Sequence, residues 1–168
     1  MKGQISFVEY LAALTLFITS VLYIAFQLVN FVPQYLNQVN NEAIRIDAYQ
    51  ISELLVNDPG NPINWYASAP IYRMGLSSEN MNVTNFLSLQ KIIAFNNTCS
   101  GSGYYNVKRN ISSIGNFVIL LFNRTANSGE LLINCRPPFV FSSPINTSVR
   151  RIVAIDSNDI GELIVQTG

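Results

Sequence analysis

From Ile5 to Val32 the chain runs for 28 residues with one charge, Glu9, and the polar positions Ser6, Thr15, Thr19, Ser20, Gln27 and Asn30. As a helix this run is about 42 Å long at ~1.5 Å per residue, ample for a hydrocarbon core of ~30 Å. Hydroxyl side chains within such a helix can bond back to its own carbonyls. A cleaved secretory signal has a shorter apolar region and small residues at its boundary. Here the run continues through Leu28, Val29, Phe31 and Val32 into Pro33 without such a boundary, which predicts a retained membrane segment over residues 5–32. Pro33 removes one backbone hydrogen bond and predicts a kink at the membrane exit.

Beyond Pro33 the helical period resumes. Leu36, Val39, Ala43 and Ile46 recur at three and four residues, and Ile44, Ala48, Ile51 and Leu55 form a neighbouring stripe. Gln38, Glu42, Arg45 and Glu53 occupy other faces, with Glu42 and Arg45 at pairing distance. One side of this half is expected to rest on the following domain. Asp58-Pro59-Gly60-Asn61-Pro62 then stops the helix, which is predicted over residues 4–56.

Residues 57–168 read as a head. Ile63 to Tyr66 and Arg73 to Leu76 are short and irregular. Asn85 to Ile93 has helical spacing with Asn85 as a cap, Asn96 to Gly103 reads as a polar loop carrying Cys99, and Tyr104 to Ile111 as a second short helix. From Asn116 the period changes. Phe117 to Phe122 is a continuous apolar run suited to a strand covered on both faces. Ala126-Asn127-Ser128-Gly129 reads as a turn, with Glu130 to Cys135 as hairpin partner, and Pro137-Pro138 breaks the ladder before Phe139-Val140-Phe141. Val149 to Ile155, a turn at Asp156-Ser157-Asn158-Asp159, and Glu162 to Gln166 complete the head. The expected class is α+β: a long N-terminal helix, kinked near Pro33, and four or five antiparallel strands, one of them central, with the amphipathic half-helix over one face.

Composition narrows the chemistry. Charged residues make up 12% of the chain, about half the usual share of ~25%. Ten basic and ten acidic residues cancel, so charge gives no case for nucleic acid. Histidine is absent, which removes Ser/His/Asp triads, Cys/His dyads and His-based metal sites. No phosphate loop, Gly-x-Ser-x-Gly or CxxC occurs. Asp156 and Asp159 share one predicted turn, and Arg150-Arg151 reads as a strand-end charge pair rather than a binding patch. The expectation is a non-enzyme without cofactor or metal.

Cys99 and Cys135 cannot form a zinc site alone. Two readings stand for them: buried free thiols, or a disulfide closing a loop of 35 intervening residues, which would stabilise an exported domain by roughly 3–4 kcal/mol. Five Asn-x-Ser/Thr sequons occur, at Asn82, Asn96, Asn110, Asn123 and Asn146, all after the apolar run. They fit either an exported glycoprotein or a generally Asn-rich chain. Lys2 and the free amine flank the run on its N-terminal side, and the next basic residue is Arg45, which places the N-terminus in the cytoplasm and the head outside.

The edge Lys2-Gly3-Gln4-Ile5-Ser6 resembles the class III signal peptide of archaeal type IV pilin-like proteins, a short basic leader ending in Gly and followed by Gln-x-Ser-x-Glu. The resemblance is tight over about five residues and general over the first thirty-odd. It implies a leader of residues 1–3, removed by a prepilin peptidase between Gly3 and Gln4. It also implies release from membrane lipid into a surface filament of identical or related subunits, through an assembly platform and ATPase. The family's acid, which neutralises the new amine of a neighbouring subunit, would fall at Val8, whereas this chain has Glu9. That is about 100° around a helix. Glu9 therefore has two readings, an assembly residue or a carboxylate at headgroup depth. Val56 to Gly60, Trp65, Gly75-Leu76 and Lys91 resemble, less specifically, an archaeal group of exported pilin-like proteins. The resemblance implies a major or minor filament subunit. The alternative is a single-pass anchored extracellular accessory or binding protein that never polymerises.

Overall fold

The apolar run and the amphipathic run form one helix. In a computed structural model, which describes residues 2–79, 84–125, 129–139, 147–156 and 158–168, and the backbone alone for 2–6, helix α1 spans Lys2–Asn57. The helical assignment continues through Pro33. The chain divides into two units, Met1–Asn41 and Glu42–Gly168.

In the first unit the apolar side chains from Phe7 to Val39 are exposed around the helix. Its polar side chains turn inward on the helix backbone, as the hydroxyl spacing predicts. Thr15 Oγ1 donates to the Ala12 carbonyl at 2.9 Å, Thr19 Oγ1 to Thr15 at 2.9 Å, Ser20 Oγ to Phe17 at 2.8 Å and Asn30 Nδ2 to Phe26 at 2.9 Å. Such bonds remove the donors that hydrocarbon would leave unsatisfied.

The second unit is α+β. After α1 come β1 (Phe86–Leu87), α2 (Leu89–Cys99), a 3₁₀ turn, α3 (Tyr104–Asn110), β2 (Phe117–Asn123), β3 (Leu131–Cys135), β4 (Thr147–Ile155) and β5 (Asp159–Thr167). The five strands form one sheet in the order β1-β4-β5-β2-β3. The expected hairpin β2/β3 pairs Ile119 with Cys135 and Leu121 with Ile133, and β4/β5 pairs Thr147 with Thr167 through Ile155 with Asp159. The apolar run of β2 lies between β5 and β3. Residues 126–128, 140, 141 and 157, which carry parts of three predicted segments, lie outside the described residues.

Two elements differ from the sequence reading. The sheet is mixed, because β1 runs parallel to β4, with Phe86 against Ala154 and Leu87 against Ile155. Asn85 is not a helix cap: its φ of 59° is left-handed, and its carbonyl accepts from Ala154 N at 2.8 Å. On the other side the Phe86 carbonyl accepts from Ser78 N and Ser88 N donates to the Leu76 carbonyl, both at 2.9 Å, so strand pairing overrides the local helical period. Helix α2 starts only after Ser88, and it then runs through the segment read as a loop, because Ile92, Phe95 and Cys99 recur on one buried face.

Of the two apolar stripes on the amphipathic half of α1, one is used. Ala48, Ile51, Leu55 and Val56 enter the head core with Trp65, Leu76, Phe95, Ile119 and Leu163, while Ile46 remains exposed. Arg151 fixes this packing from β4: its Nε donates to Ser52 Oγ at 2.9 Å, it pairs with Glu53, and its guanidinium lies 5.0 Å from the Tyr49 ring centroid. Arg150-Arg151 is thus no strand-end pair. The two are neighbours within β4 and point to opposite faces, Arg150 toward Glu162 at 3.7 Å. Glu42 and Arg45 form no ion pair among the described residues.

Cys99 and Cys135 are joined in a disulfide, with Cα atoms 5.5 Å apart, tying the end of α2 to the edge strand β3. Replacing both by Ala is expected to lower the head's stability by about 3 kcal/mol. Urea unfolding of the two forms under non-reducing conditions measures this, with reduction of the wild type giving a loss of similar size.

Candidate functional site

Two features stand out from the residues upward. The first is the N-terminal helix itself. Its apolar stretch is long and apolar enough to cross a membrane, and none of the span's most apolar window is buried within the chain. Gly3 and Gln4 lie in the first turns of α1, where only the backbone is described. Glu9 is exposed, and its carboxylate has no partner among the described residues. Val8 and Glu9 both project into open space, so the chain's own packing gives neither position a preference.

The second feature is a collar at the end of α1, built by the residues that follow its stop signal. Asp58 Oδ1 accepts from Gly60 N at 2.7 Å, and its other oxygen pairs with Arg73 Nε at 2.8 Å. Gly60 sits at φ 90°, and a Cβ there would lie 2.4 Å from Trp65 Cδ1. The buried Trp65 ring donates from Nε1 to the Gly75 carbonyl at 2.8 Å. Gly75 in turn lies so close to Asp58 that a Cβ would come within 1.9 Å of its carbonyl oxygen. Only glycine permits this approach.

Lys91 closes the collar. It lies on the apolar face of α2 beside Ile92 and Phe95 and is 0% exposed. Its Nζ donates to the Pro59 carbonyl at 2.8 Å and to the Ser77 carbonyl at 2.9 Å. Burial holds the Lys91 pKa below its ordinary 10.5, against the raising pull of the Glu79 and Asp58 carboxylates. A buried ammonium held by backbone carbonyls and facing nearby carboxylates is a positioning device. A shallow groove of about 590 Å³ borders the collar, lined by Glu53, Asn57, Asp58, Asn61, Ile63 and Arg73. Among the described residues no three Cys, Asp or Glu side chains gather there as a metal site.

Among the described residues the structure brings together one pair of the sequence-predicted site residues, Cys99 with Cys135. Asn82 and Asn146 lie outside the described residues. Asn96 is within α2, Asn110 ends α3, and Asn123 is buried at the end of β2. Sequence reasoning missed the work of Lys91, although a lysine in register with Ile92 and Phe95 was the available sign. It also missed Asp47, a buried α1 carboxylate that accepts from Ser113 Oγ at 2.9 Å and Gly115 N at 3.3 Å.

Fold and site together define an α+β head preceded by a helix fit to anchor it in a membrane. A protein of Archaeoglobus fulgidus, described as an uncharacterized protein, is 30% identical over 113 residues, covering 61% of this chain and 57% of that protein. The chain thus matches little more than half the length of this relative. No family model and no solved structure matches the chain.

Replacing Lys91 by Met removes two charge-assisted bonds and leaves two buried carbonyls unsatisfied, offset in part by relief from burying the ammonium. A net loss of about 2 kcal/mol in head stability is expected in urea unfolding at pH 7. The advantage of wild type over Lys91→Met should grow as pH rises toward 10.5. In that window the unfolded chain still binds the proton that the folded chain has released, so stability increases with pH. A neutral amine still has two N–H donors for the two carbonyls. A difference that shrinks on the approach to pH 10.5 would contradict this account.

Proposed function

We propose that this chain is a structural subunit, major or minor, of a type IV pilus-like surface filament, processed after Gly3 and assembled through its N-terminal helix. The observation that carries the reading is the conjunction at one end of the chain. The Lys2-Gly3-Gln4-Ile5-Ser6 edge leads directly into a helix whose apolar side chains find no cover within the chain. Lipid covers such a helix before assembly, and a bundle of like helices covers it afterwards. The exchange keeps apolar surface out of water throughout, so the pulling machinery works against packing differences rather than full hydration. The proposed partners are a prepilin peptidase, identical or related subunits, an assembly platform and its ATPase. The role is mechanical rather than catalytic, with the N-terminus starting in the cytoplasm and the head outside. The collar suits such a role: it fixes the segment that follows the last turn of the helix through the side chains of Trp65 and Lys91.

A second reading has its own observation. The acid stands at Glu9, one residue past the position that the resemblance implies, and a subunit that never assembles needs no registered acid. A static, single-pass anchored accessory or binding protein shares every other feature.

N-terminal sequencing of the protein recovered from its cells separates the two. Gln4 as first residue is expected, and Met1 would favour the static anchor. A Gly3→Val chain should stay unprocessed in the membrane fraction and yield no filaments; filaments at normal yield from that variant would sink the assembly reading. Glu9→Gln tests the acid independently of processing. The expected outcome is normal cleavage with a loss of filaments, and unimpaired assembly would mean that Glu9 has no registering role.

A further inference from the structure

The three described sequons differ sharply in what the fold does with their hydrogen-bonding groups. Transfer of an N-glycan needs the acceptor amide and the hydroxyl two residues on, presented together on an accessible segment.

At Asn96-Asn97-Thr98 the fold has taken the amide oxygen and the hydroxyl. Asn96 Oδ1 accepts from Asn134 N on β3 at 3.0 Å, and Thr98 Oγ1 donates to the Ala94 carbonyl at 2.8 Å. The sequon lies inside α2, and residues two apart on a helix do not face each other. At Asn123-Arg124-Thr125 both are taken again. Asn123 is buried; its Nδ2 donates to Asp159 at 3.0 Å and its Oδ1 accepts from Thr125 N at 3.0 Å. Thr125 Oγ1 accepts from Ile160 N at 2.6 Å. These bonds close the β2 end against the start of β5.

Asn110-Ile111-Ser112 is different. Asn110 is the last residue of α3, and Ser112 is exposed at φ 55°, where the chain turns out of the helix. The turn is closed by backbone alone, from Ser112 N to the Arg109 carbonyl and from Ser113 N to the Lys108 carbonyl, both at 3.2 Å. This is the paired-bond helix end that a left-handed residue produces. It uses neither sequon side chain. Asn110 is half-buried and Ser112 exposed, and among the described residues the Asn110 amide and the Ser112 hydroxyl have no hydrogen-bond partner, so no side-chain bond need break for either to react.

We infer that Asn110 is the N-glycan acceptor among the three described sequons, and that Asn96 and Asn123 are structural asparagines in sequons by coincidence of spacing. The donor is an oligosaccharide carried on a polyisoprenoid phosphate, delivered by a cellular oligosaccharyltransferase. Asn110 Nδ2 forms a bond to the anomeric carbon as the bond from that carbon to the phosphate oxygen breaks. The electron pair leaves with the lipid phosphate, the amide gives up one proton, and nothing is oxidised or reduced. The inference rests on the reading above only in requiring the head outside the cell, and it is indifferent to polymerisation.

The test is glycopeptide mass spectrometry on the full chain recovered from its cells, with external protease treatment of intact cells to establish where the head lies. The expected result is a sugar-bearing Asn110 peptide beside bare Asn96 and Asn123 peptides. Two variants should each return the Asn110 peptide to its bare mass: Asn110→Gln, and Ser112→Gly, which suits the left-handed backbone. A bare Asn110 peptide on a head that external protease reaches would overturn the inference while leaving the topology standing. A sugar on Asn96 or Asn123 would overturn the selectivity argued here. A head shielded from external protease would overturn both the topology and the site, and the protease arm tells that failure from the others.

Discussion

The head is organised around the buried ammonium of Lys91. The two carbonyls that Lys91 holds come from segments that also bond directly, Ser77 N to the Asp58 carbonyl at 3.2 Å: Pro59 lies just beyond the helix stop and Ser77 beside β1. An amine with at least two donors can join them where an apolar side chain cannot. Burial disfavours the cation and lowers its pKa, and the Glu79 and Asp58 carboxylates offset only part of that cost. Because Lys91 belongs to α2, and α2 is tied by its far end to β3 through the Cys99–Cys135 bond, one helix couples the end of α1 to the opposite edge of the sheet.

The rest of the collar follows from the close approach that this charge requires. Trp65 fills the space over Gly60, and Gly75 lies against the Asp58 backbone, so two glycines are needed for packing as much as for turning. Only then can the Trp65 ring reach the Gly75 carbonyl and the segment 76–78 pair with β1. Arg151 performs the complementary task on the sheet side, contacting Tyr49, Ser52 and Glu53 along α1. The amphipathic half of the helix is therefore held by packing through Ile51 and Leu55 and by polar bonds on either flank.

Periodicity made the large elements legible. The uncharged run, the stop at Asp58-Pro59-Gly60, the β2/β3 hairpin and the β4/β5 pair all follow from local pattern. What stayed hidden depends on partners distant in the chain. Phe86 and Leu87 sit in a helical period yet become strand because β4 and segment 76–78 claim their backbone from both sides. Asn96 to Cys99 looks too polar for helix, but Cys99 shares the buried face of Lys91, Ile92 and Phe95, while Asn96 bonds the β3 edge and Asn97 is exposed. Of the site, the cysteine pair was legible by count. Lys91 and Arg151 were not, since the carbonyls that hold the one and the hydroxyl and carboxylate that hold the other are distant in the chain.

The same distinction bears on the head's composition. With few charges, its polarity lies in Asn, Ser and Thr, and these side chains are short enough to bond to the backbone around them. Asn96 caps an edge-strand N–H, Asn123 joins two strand ends, and Tyr104 satisfies both backbone groups of Phe117 with one hydroxyl, accepting at 2.9 Å and donating at 3.2 Å. Asparagine abundance is thus partly a property of how the sheet and its covering helices are joined, so the number of sequons measures two things at once. Hydrogen-bond occupancy separates them: the Asn123 amide is committed at both ends and the Asn96 amide at its oxygen, whereas the turn after Asn110 is closed by backbone alone.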